Sequence, residues 1–314
     1  MDVAIVGAGI CGLAAADALQ RRGARVVVYE AERVGAGQSA GLARIFRIAH
    51  ASPRLCALAL EARAGWLAWE RSLGAGRLLG EEGLIVARNE RRVSRAVVEK
   101  VDLRAAAMQA AGAPAQELTA GEVRERLPFF DYAWGGGLWD PLAGALRIRR
   151  ALDALAARVT IRRETVTDLE ALDADAVLVC AGLGTQALVP ELDFELRTEP
   201  HVRLTYDAGA AAPCVISAEL YGCPIGSTGR FAVGMHDQAA APAMVPLPVV
   251  DRVECVSLFA PWLDAHGDGF LALRTGRVTA FTGANLMKFG PLLGDRLARS
   301  VLDGAIHADL TFGQ

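Results

Sequence analysis

The first thirty residues constrain the fold of this chain more than any other stretch. An apolar run stops at a glycine-rich turn that reads Gly7-Ala-Gly9-Ile-Cys-Gly12, and an alanine-rich segment follows the turn. A second apolar run then ends at Glu30. A strand, a glycine turn, a helix and a second strand ending in an acid are typical of a βαβ unit that binds an adenine dinucleotide.

The residues of this unit have separate tasks in such a site. Gly7 lets the chain leave the strand sharply, Gly9 lets a pyrophosphate approach the backbone, and Gly12 lets the helix pack against the strand. The free N–H groups and the positive dipole end of the helix favour a phosphate. Glu30 stands where an acid accepts ribose hydroxyls, which favours FAD or NAD over NADP. The alternative is an ordinary βαβ unit with glycine turns.

Composition excludes several classes of protein. The 314 residues are 53% hydrophobic, enough for the core of one large domain or two interleaved ones. A net charge of -3 without a long Lys/Arg run argues against a nucleic-acid partner. No apolar stretch reaches about eighteen residues, and no signal-peptide pattern is found, so we expect a cytoplasmic protein that does not enter a membrane. The six cysteines form no C-x-x-C pair, which indicates reduced thiols and no metal site.

Several segments are assigned from local pattern. Arg44 and Arg47, three residues apart among apolar neighbours, are expected on one face of a helix over residues 42–50, where solvated arginines are the simple interpretation. Residues 135–141 are expected to be a turn-rich connector, and residues 249–263 a helix. Thr119 and Glu122 have the spacing of a capping box.

Two later stretches, like the opening unit, have the pattern of a strand followed by a small-residue turn. A buried strand ends at Ala181-Gly182, a small-residue turn of the kind found where backbone approaches a ligand. A second strand, at residues 277–283, leads through a small-residue loop to a helix start near Lys288, whose dipole could point at an anionic ring edge. Between them, residues 197–235 show period-two alternation, which indicates a mixed or antiparallel sheet and a second domain.

Together these segments resemble the FAD-dependent D-amino-acid-oxidase superfamily, in its monomeric sarcosine oxidase and N-methyl amino acid oxidase branch. The resemblance is carried by the opening glycines with Glu30, Arg44-Ile-Phe-Arg47, Val177 to Gly182, Tyr221 to His236, and Thr282 to Gly290. It implies an α/β fold in which a Rossmann-like FAD-binding domain of the glutathione-reductase type is interleaved with a mixed β-sheet substrate domain. We expect the FAD-binding domain over residues 1–80, 145–196 and 270–314, and the substrate domain over residues 81–144 and 197–269.

The resemblance also implies an activity. It is oxidation of the C–N bond of a small carboxylated amine (amino acid, N-methyl amino acid or cyclic imino acid) by hydride transfer to flavin N5, which gives an imine. Arg47 and Lys288 match the pair that holds the substrate carboxylate, and Arg44 matches an arginine over the flavin face. Tyr221 and His236 match polar side chains that line the substrate cavity. By pattern alone, Lys288 also fits a solvated lysine at a helix start, and His236 a histidine satisfied within a sheet.

The cofactor contacts implied by the resemblance are spread over the whole chain. They are Gly7, Gly9, Ile10, Cys11, Gly12, Glu30, Ala31, Arg33, Arg44, Val166, Ala181, Gly182, Gly283, Leu286, Met287 and Lys288.

The chain departs from the family pattern in two places. Ala232 falls where relatives carry a lysine that helps reduced flavin react with oxygen, so the electron acceptor is either oxygen or an unknown molecule. The shortened stretch 263–269 has no cysteine of the kind that some relatives bond to FAD, so noncovalent FAD is expected. Three hypotheses follow: an amine oxidase, an FAD dehydrogenase with a quinone or protein acceptor, and a flavin-binding protein without turnover.

Overall fold

The computed structural model describes residues 1–42, 44–89, 95–235, 244–263 and 267–312. The strands, numbered in chain order, are β1 Asp2–Val6, β2 Arg25–Glu30, β3 Arg44–Phe46, β4 Leu84–Asn89, β5 Gln116–Leu118, β6 Trp134–Asp140, β7 Gly144–Leu146, β8 Thr160–Arg163, β9 Ala176–Val179, β10 Arg197–Asp207, β11 Cys214–Ile216, β12 Leu220–Pro224, β13 Arg230–Met235, β14 Val249–Phe259, β15 Gly269–Thr275, β16 Val278–Ala284 and β17 Thr311–Phe312. The α-helices are α1 Ile10–Arg21, α2 Pro53–Ser72, α3 Arg95–Ala110, α4 Ala120–Arg126, α5 Ile148–Ala156, α6 Thr185–Leu188 and α7 Gly290–Asp303, and short 3-10 helices cover Gly182–Gly184, Leu286–Phe289 and Ala308–Leu310.

The first sheet has seven strands in the order β17-β15-β16-β9-β1-β2-β8. Its strands β16, β9, β1, β2 and β8 run parallel, and β15 is antiparallel to both of its neighbours. The opening βαβ unit is therefore confirmed, with β1 and β2 adjacent at the middle of a parallel sheet. The carboxyl ends of the five parallel strands all lie on one edge of the sheet, where open α/β sheets bind their ligands.

The second sheet has eight strands in the order β14-β10-β13-β12-β11-β4-β6-β5, and its only parallel pair among the described residues is β11 with β4. Its strands come from two separate parts of the chain, which alternate with the strands of the first sheet. The predicted α/β fold with an interleaved mixed sheet is confirmed. The residue ranges assigned to two domains stay a prediction.

The two faces of the second sheet have different neighbours. Val86 and Cys223 belong to the same buried cluster as Ile5 of β1, so they lie on an inner face toward the first sheet. Val215 and Phe231 belong to a separate cluster with residues of α4, on the outer face. Because side chains alternate along a strand, every second residue of β10, β12 and β13 faces the first sheet.

Three predictions of local structure were wrong. Residues 134–140 form β6, because the glycines there let two neighbouring strands approach: a Cβ on Gly136 would lie 2.6 Å from the Leu118 carbonyl oxygen, and one on Gly137 equally close to that of Val86. Residues 249–259 form β14, which pairs with β10 along its whole length. Residues 44–46 form β3, paired with β7. In all three, partners distant in sequence decided the structure over local propensity.

The N-terminal end of α4 was predicted correctly because its signal is local. The capping box of α4 is present: the Glu122 N–H donates to Thr119 Oγ1 at 3.3 Å, and the Thr119 N–H donates to Glu122 Oε2 at 2.7 Å. Helix α2 is capped by Ser52, whose hydroxyl accepts the Leu55 N–H. Within the described ranges, every helix is too short or too polar to cross a bilayer.

Helix α7 packs against α1 through a glycine contact, which gives a prediction for stability. A Cβ on Gly294 would lie 2.6 Å from backbone atoms of Ala14, whereas one on Gly121 in α4 would meet only the Thr119 hydroxyl at 3.8 Å. Gly294→Ala should lower the free energy of unfolding by about 1–3 kcal/mol through overpacking. Gly121→Ala is the matched control and should be neutral or stabilising by about 0.5–1 kcal/mol. Urea unfolding of both variants tests the contact, and equal effects would contradict it.

Candidate active site

The turn between β1 and α1 leaves no space for side chains. Gly7 has φ +108°, and a Cβ there would overlap the carbonyl of Cys180 at the end of β9. A Cβ on Gly12 would overlap the carbonyl oxygen of Gly7. Gly9 is the N-cap of helix α1 and supplies no side-chain hydrogen bond. The bare backbone at a helix N-terminus is therefore suited to a phosphate group.

Glu30 is held beside this turn. Its carboxylate accepts the N–H of Ala8 at 2.8 Å and the N–H of Glu32 at 3.0 Å. The acid thus lies at the carboxyl end of β2, next to the glycine turn, as binding of ribose hydroxyls requires. Together with the close-packed glycines, this geometry fits the adenosine diphosphate part of FAD.

The other predicted cofactor residues lie along the same edge or at its ends. The residues at the carboxyl ends of parallel strands, or just beyond them, are Gly7, Glu30, Ala31, Arg33, Val166, Ala181, Gly182, Gly283, Leu286, Met287 and Lys288. Gly9 is the N-cap of α1, and Ile10, Cys11 and Gly12 belong to its first turn. Five strand ends thus bring together residues more than 250 positions apart in sequence. Their binding of FAD stays a prediction.

The loop over residues 35–41 lies against this edge and adds two polar side chains. Ser39 Oγ accepts the N–H of Ile10 at 3.1 Å. The Gln38 Oε1 atom is 3.1 Å from the place where a Cβ on Gly182 would be. Ser39 and Gln38 thus touch the glycine turns of two neighbouring strands, and they are candidate cofactor contacts that the sequence analysis did not identify.

Arg47 and Lys288 do come together, and both contact a buried carboxylate of the chain itself. Asp268 is 2.7 Å from Arg47 Nη2 through Oδ2 and 3.3 Å from Lys288 Nζ through Oδ1. His50 Nδ1 is 3.0 Å from the same Oδ2 atom. The side chain of Asp268 is 3% exposed, that of Lys288 4%, and that of Arg47 13%. We call these four residues the Asp268 cluster.

Burial and charge shift the titration of the Asp268 cluster. Burial lowers the pKa of Lys288 to about 8, although Asp268 opposes the shift. Burial also lowers the pKa of His50 to about 3, so its ring is neutral at pH 7. Burial alone would raise the pKa of Asp268, but Arg47, Lys288 and His50 hold it well below its usual value. At neutral pH the cluster therefore contains an ionised Asp268 between two cations.

Backbone contacts fix the position of this cluster. Asp140, at the end of β6, accepts the N–H of Ile48 at 2.6 Å and of Ala49 at 3.0 Å, just after Arg47 in sequence. The Trp66 indole N–H donates to the carbonyl oxygen of Lys288 at 2.8 Å. These bonds hold the segment after β3 and the 3-10 helix of Lys288 at either side of Asp268.

Arg44 lies apart from Arg47, because residues three apart in an extended chain point to opposite sides. It donates to the carbonyl oxygens of Gln38, at 3.2 Å, and of Ala40. A Cβ on Gly41 would lie 2.7 Å from nitrogen atoms of both Arg44 and Arg203, so the two guanidinium groups are neighbours. Burial and then the charge of Arg203 lower the pKa of Arg44.

Arg203 and Tyr221 stand on the inner face of the second sheet. Gly234 of β13 pairs with Arg203 on one side and with Tyr221 on the other, so all three share one row and one face. The Tyr221 ring lies over Gly234, where a Cβ would overlap it. Burial raises the pKa of the Tyr221 hydroxyl, which therefore stays protonated at neutral pH.

Ala232 is in the next row of the same face, between Thr205 and Cys223, and is 2% exposed. His236 lies outside the described residues. Asp268, His50 and Arg203 were missed by the sequence analysis. The sequence does contain a signal for Arg203. Apolar Val202, Leu204 and Tyr206 alternate with polar residues along the strand, so Arg203 lies on the face opposite to theirs.

Comparisons with known proteins agree with this architecture. A family model described as FAD-dependent oxidoreductase matches residues 2–254. Among solved structures, glycine oxidase from Geobacillus kaustophilus has TM-score 0.82 and 22% identity, covering 98% of this chain and 96% of its own. NikD, an amino acid oxidase of nikkomycin biosynthesis, has TM-score 0.80 and 22% identity over 99% and 96%. L-proline dehydrogenase from P. horikoshii has TM-score 0.83 and 14% identity over 99% and 96%. A search of curated protein sequences finds no match.

The Asp268 cluster predicts a large effect of one substitution. Asp268→Asn removes the anion and leaves two buried cations, so the free energy of unfolding should fall by about 3–5 kcal/mol. Asp268 raises the pKa of Lys288, so the variant releases that proton at a lower pH than the wild type does. The unfolded lysine keeps its proton to about pH 10.4, so the deficit should shrink as pH rises from about 6 to about 9.

Denaturant unfolding across this pH range measures both effects. Asp251→Asn, an exposed position on β14, is the matched control and should change stability by less than about 0.5 kcal/mol. A deficit in Asp268→Asn that is small, or that grows with pH, would contradict the assignment.

Proposed function

The chain belongs to the FAD-dependent oxidoreductase family, and from this premise we propose that it oxidises the C–N bond of a small carboxylated amine. The substrate class comprises amino acids, N-methyl amino acids and cyclic imino acids, and the imine product hydrolyses in water. The proposal is supported by the juxtaposition of two features. The glycine turn and Glu30 share one sheet edge, and Arg44 lies beside Arg203 on the inner face of the second sheet.

The residues at the sheet edge would hold FAD. The glycine turn admits the pyrophosphate at the start of α1, and Glu30 accepts ribose hydroxyls. Ser39 and Gln38 lie against the same sheet edge. When bound, FAD supplies the hydride acceptor, while the protein supplies binding, orientation and electrostatics. The cofactor is held noncovalently.

Arg44 prepares the amine for oxidation. The amine must lose its proton before the carbon next to nitrogen can give up a hydride. A buried guanidinium nearby disfavours the ammonium form and so lowers the pKa of the bound amine. Tyr221, with a protonated hydroxyl on the same face as Arg203, orients the substrate by a hydrogen bond.

The names of two structurally similar proteins support an amino-acid-like substrate. One is a glycine oxidase and the other an L-proline dehydrogenase. The words oxidase and dehydrogenase in these names also correspond to the two candidate ways of reoxidising the flavin, by oxygen or by another electron acceptor. The resemblance places a lysine where this chain has Ala232, and this difference favours the alternative in which the chain is a dehydrogenase that passes electrons to an acceptor other than oxygen.

Anaerobic flavin reduction tests the proposed function. The purified protein should be yellow, and acid precipitation should release its FAD. A panel of glycine, sarcosine, L-proline and D-alanine, added without oxygen, should bleach the flavin absorbance with at least one member. Admission of oxygen then separates the two alternatives, because an oxidase forms one equivalent of hydrogen peroxide for each turnover and a dehydrogenase does not.

Two results would contradict this account. A colourless protein that binds no FAD after incubation with the cofactor would remove its premise. A yellow protein whose flavin no amine reduces would favour a flavin-binding protein without turnover.

A further inference from the structure

The pair that matches the family's carboxylate-holding residues already has a carboxylate partner. Asp268 lies between Arg47 and Lys288 and is almost fully buried. Lys288 Nζ also donates to the carbonyl oxygen of Asn285 at 2.9 Å, which occupies a second of its three donors. An incoming carboxylate would have to bind beside this buried anion of the same charge, and the cluster would then hold two anions in a small volume.

Arg203, in contrast to Arg47 and Lys288, has no carboxylate partner among the described residues. Its side chain lies on the inner face of the second sheet, and the residue is 8% exposed. Arg203 makes no hydrogen bond and no ion pair with any residue in the described part of the chain. Buried guanidinium groups are normally paired, because an unpaired buried charge is costly. A buried, unpartnered arginine therefore points to an anion that binds it.

The surroundings of Arg203 strengthen this conclusion. Its charged neighbour across Gly41 is Arg44, a second cation, and Gly41 has φ +106°, which favours glycine. Tyr221 lies two strands away in the same row, across Gly234, which leaves room for its ring. Two guanidinium groups and a phenol hydroxyl thus converge on one inner face, and all are hydrogen-bond donors suited to a carboxylate.

We propose that Arg203, together with Arg44 and Tyr221, binds the carboxylate of the substrate, while Asp268 partly balances the charge of the Arg47–Lys288 pair from within. Arg203 is then a specificity-determining residue, and it selects carboxylated amines over their amides and over simple amines. The inference rests on the proposed function for the identity of the anion. The choice of Arg203 over Arg47 and Lys288 as the anion-binding residue follows from the geometry of the two cationic sites.

Calorimetric titration of the holoenzyme with simple carboxylates tests the proposal without any turnover. The probes are acetate, propionate and benzoate, each compared with its amide. Wild type should bind at least one carboxylate and should bind the matching amide at least tenfold more weakly. Arg203→Gln should weaken carboxylate binding about 10- to 100-fold, the loss expected for a hydrogen bond to a charged group, and Arg203→Lys should recover part of it.

Two further variants identify the site. Arg197→Gln changes an exposed arginine on the same strand and should leave binding unchanged. Arg47→Gln should change carboxylate affinity by less than about threefold, because the charge of Arg47 is already paired with Asp268 through Nη2. In the absence of ligand, Arg203→Gln should unfold at the same temperature as wild type or a higher one, since it removes a buried unpaired charge.

The proposal would be overturned by wild type that binds none of the carboxylates, by Arg203→Gln that binds them normally, or by Arg47→Gln that loses more affinity than Arg203→Gln. These outcomes are independent of amine oxidation. A protein that binds carboxylates through Arg203 but whose flavin no amine reduces would retain the anion site and reject only the proposed function.

Discussion

The ion pairs of Asp268 join three parts of the chain that are far apart in sequence. Arg47 and His50 follow β3, Asp268 precedes β15, and Lys288 belongs to the 3-10 helix after β16. A carboxylate buried among these groups is stable only while its partners stay in place, because each ion was moved out of water. The start of β15, the helix start after β16 and the β3 ribbon are thereby fixed to one another. The edge that would hold a flavin depends on this arrangement.

The charge distribution divides the region into two sites of different character. In the Asp268 cluster a chain carboxylate partly balances the cations, and its hydrogen bonds hold a framework together. On the inner face of the second sheet, Arg203 lies beside Arg44 and makes no ion pair with a described residue. Buried charge that is balanced supports structure, whereas buried charge without a partner favours a ligand of opposite sign. Residue type alone does not separate these roles, since both sites contain an arginine predicted to be functional.

Much of the fold follows from local sequence. The glycine turn, Glu30, the α4 capping box and the strand that leads to the turn at Gly182 each carry their signal within a few residues, and each lies where it was expected. The predicted helices at 42–50 and 249–263 were wrong because pairing with distant strands decides those segments. The connector predicted at 135–141 was wrong because its glycines serve close strand approach as well as turns. Asp268 had no local signal, since a carboxylate in a short polar loop reads as solvated until its partners are known.

A crystal structure of the FAD-bound protein with benzoate would show which cations bind a carboxylate ligand, because it locates the benzoate and Asp268 carboxylates at once. We expect the benzoate carboxylate against the Arg203 guanidinium on the inner face, with Asp268 still between Arg47 and Lys288. Benzoate bound between Arg47 and Lys288, with Asp268 displaced toward solvent, would contradict this expectation.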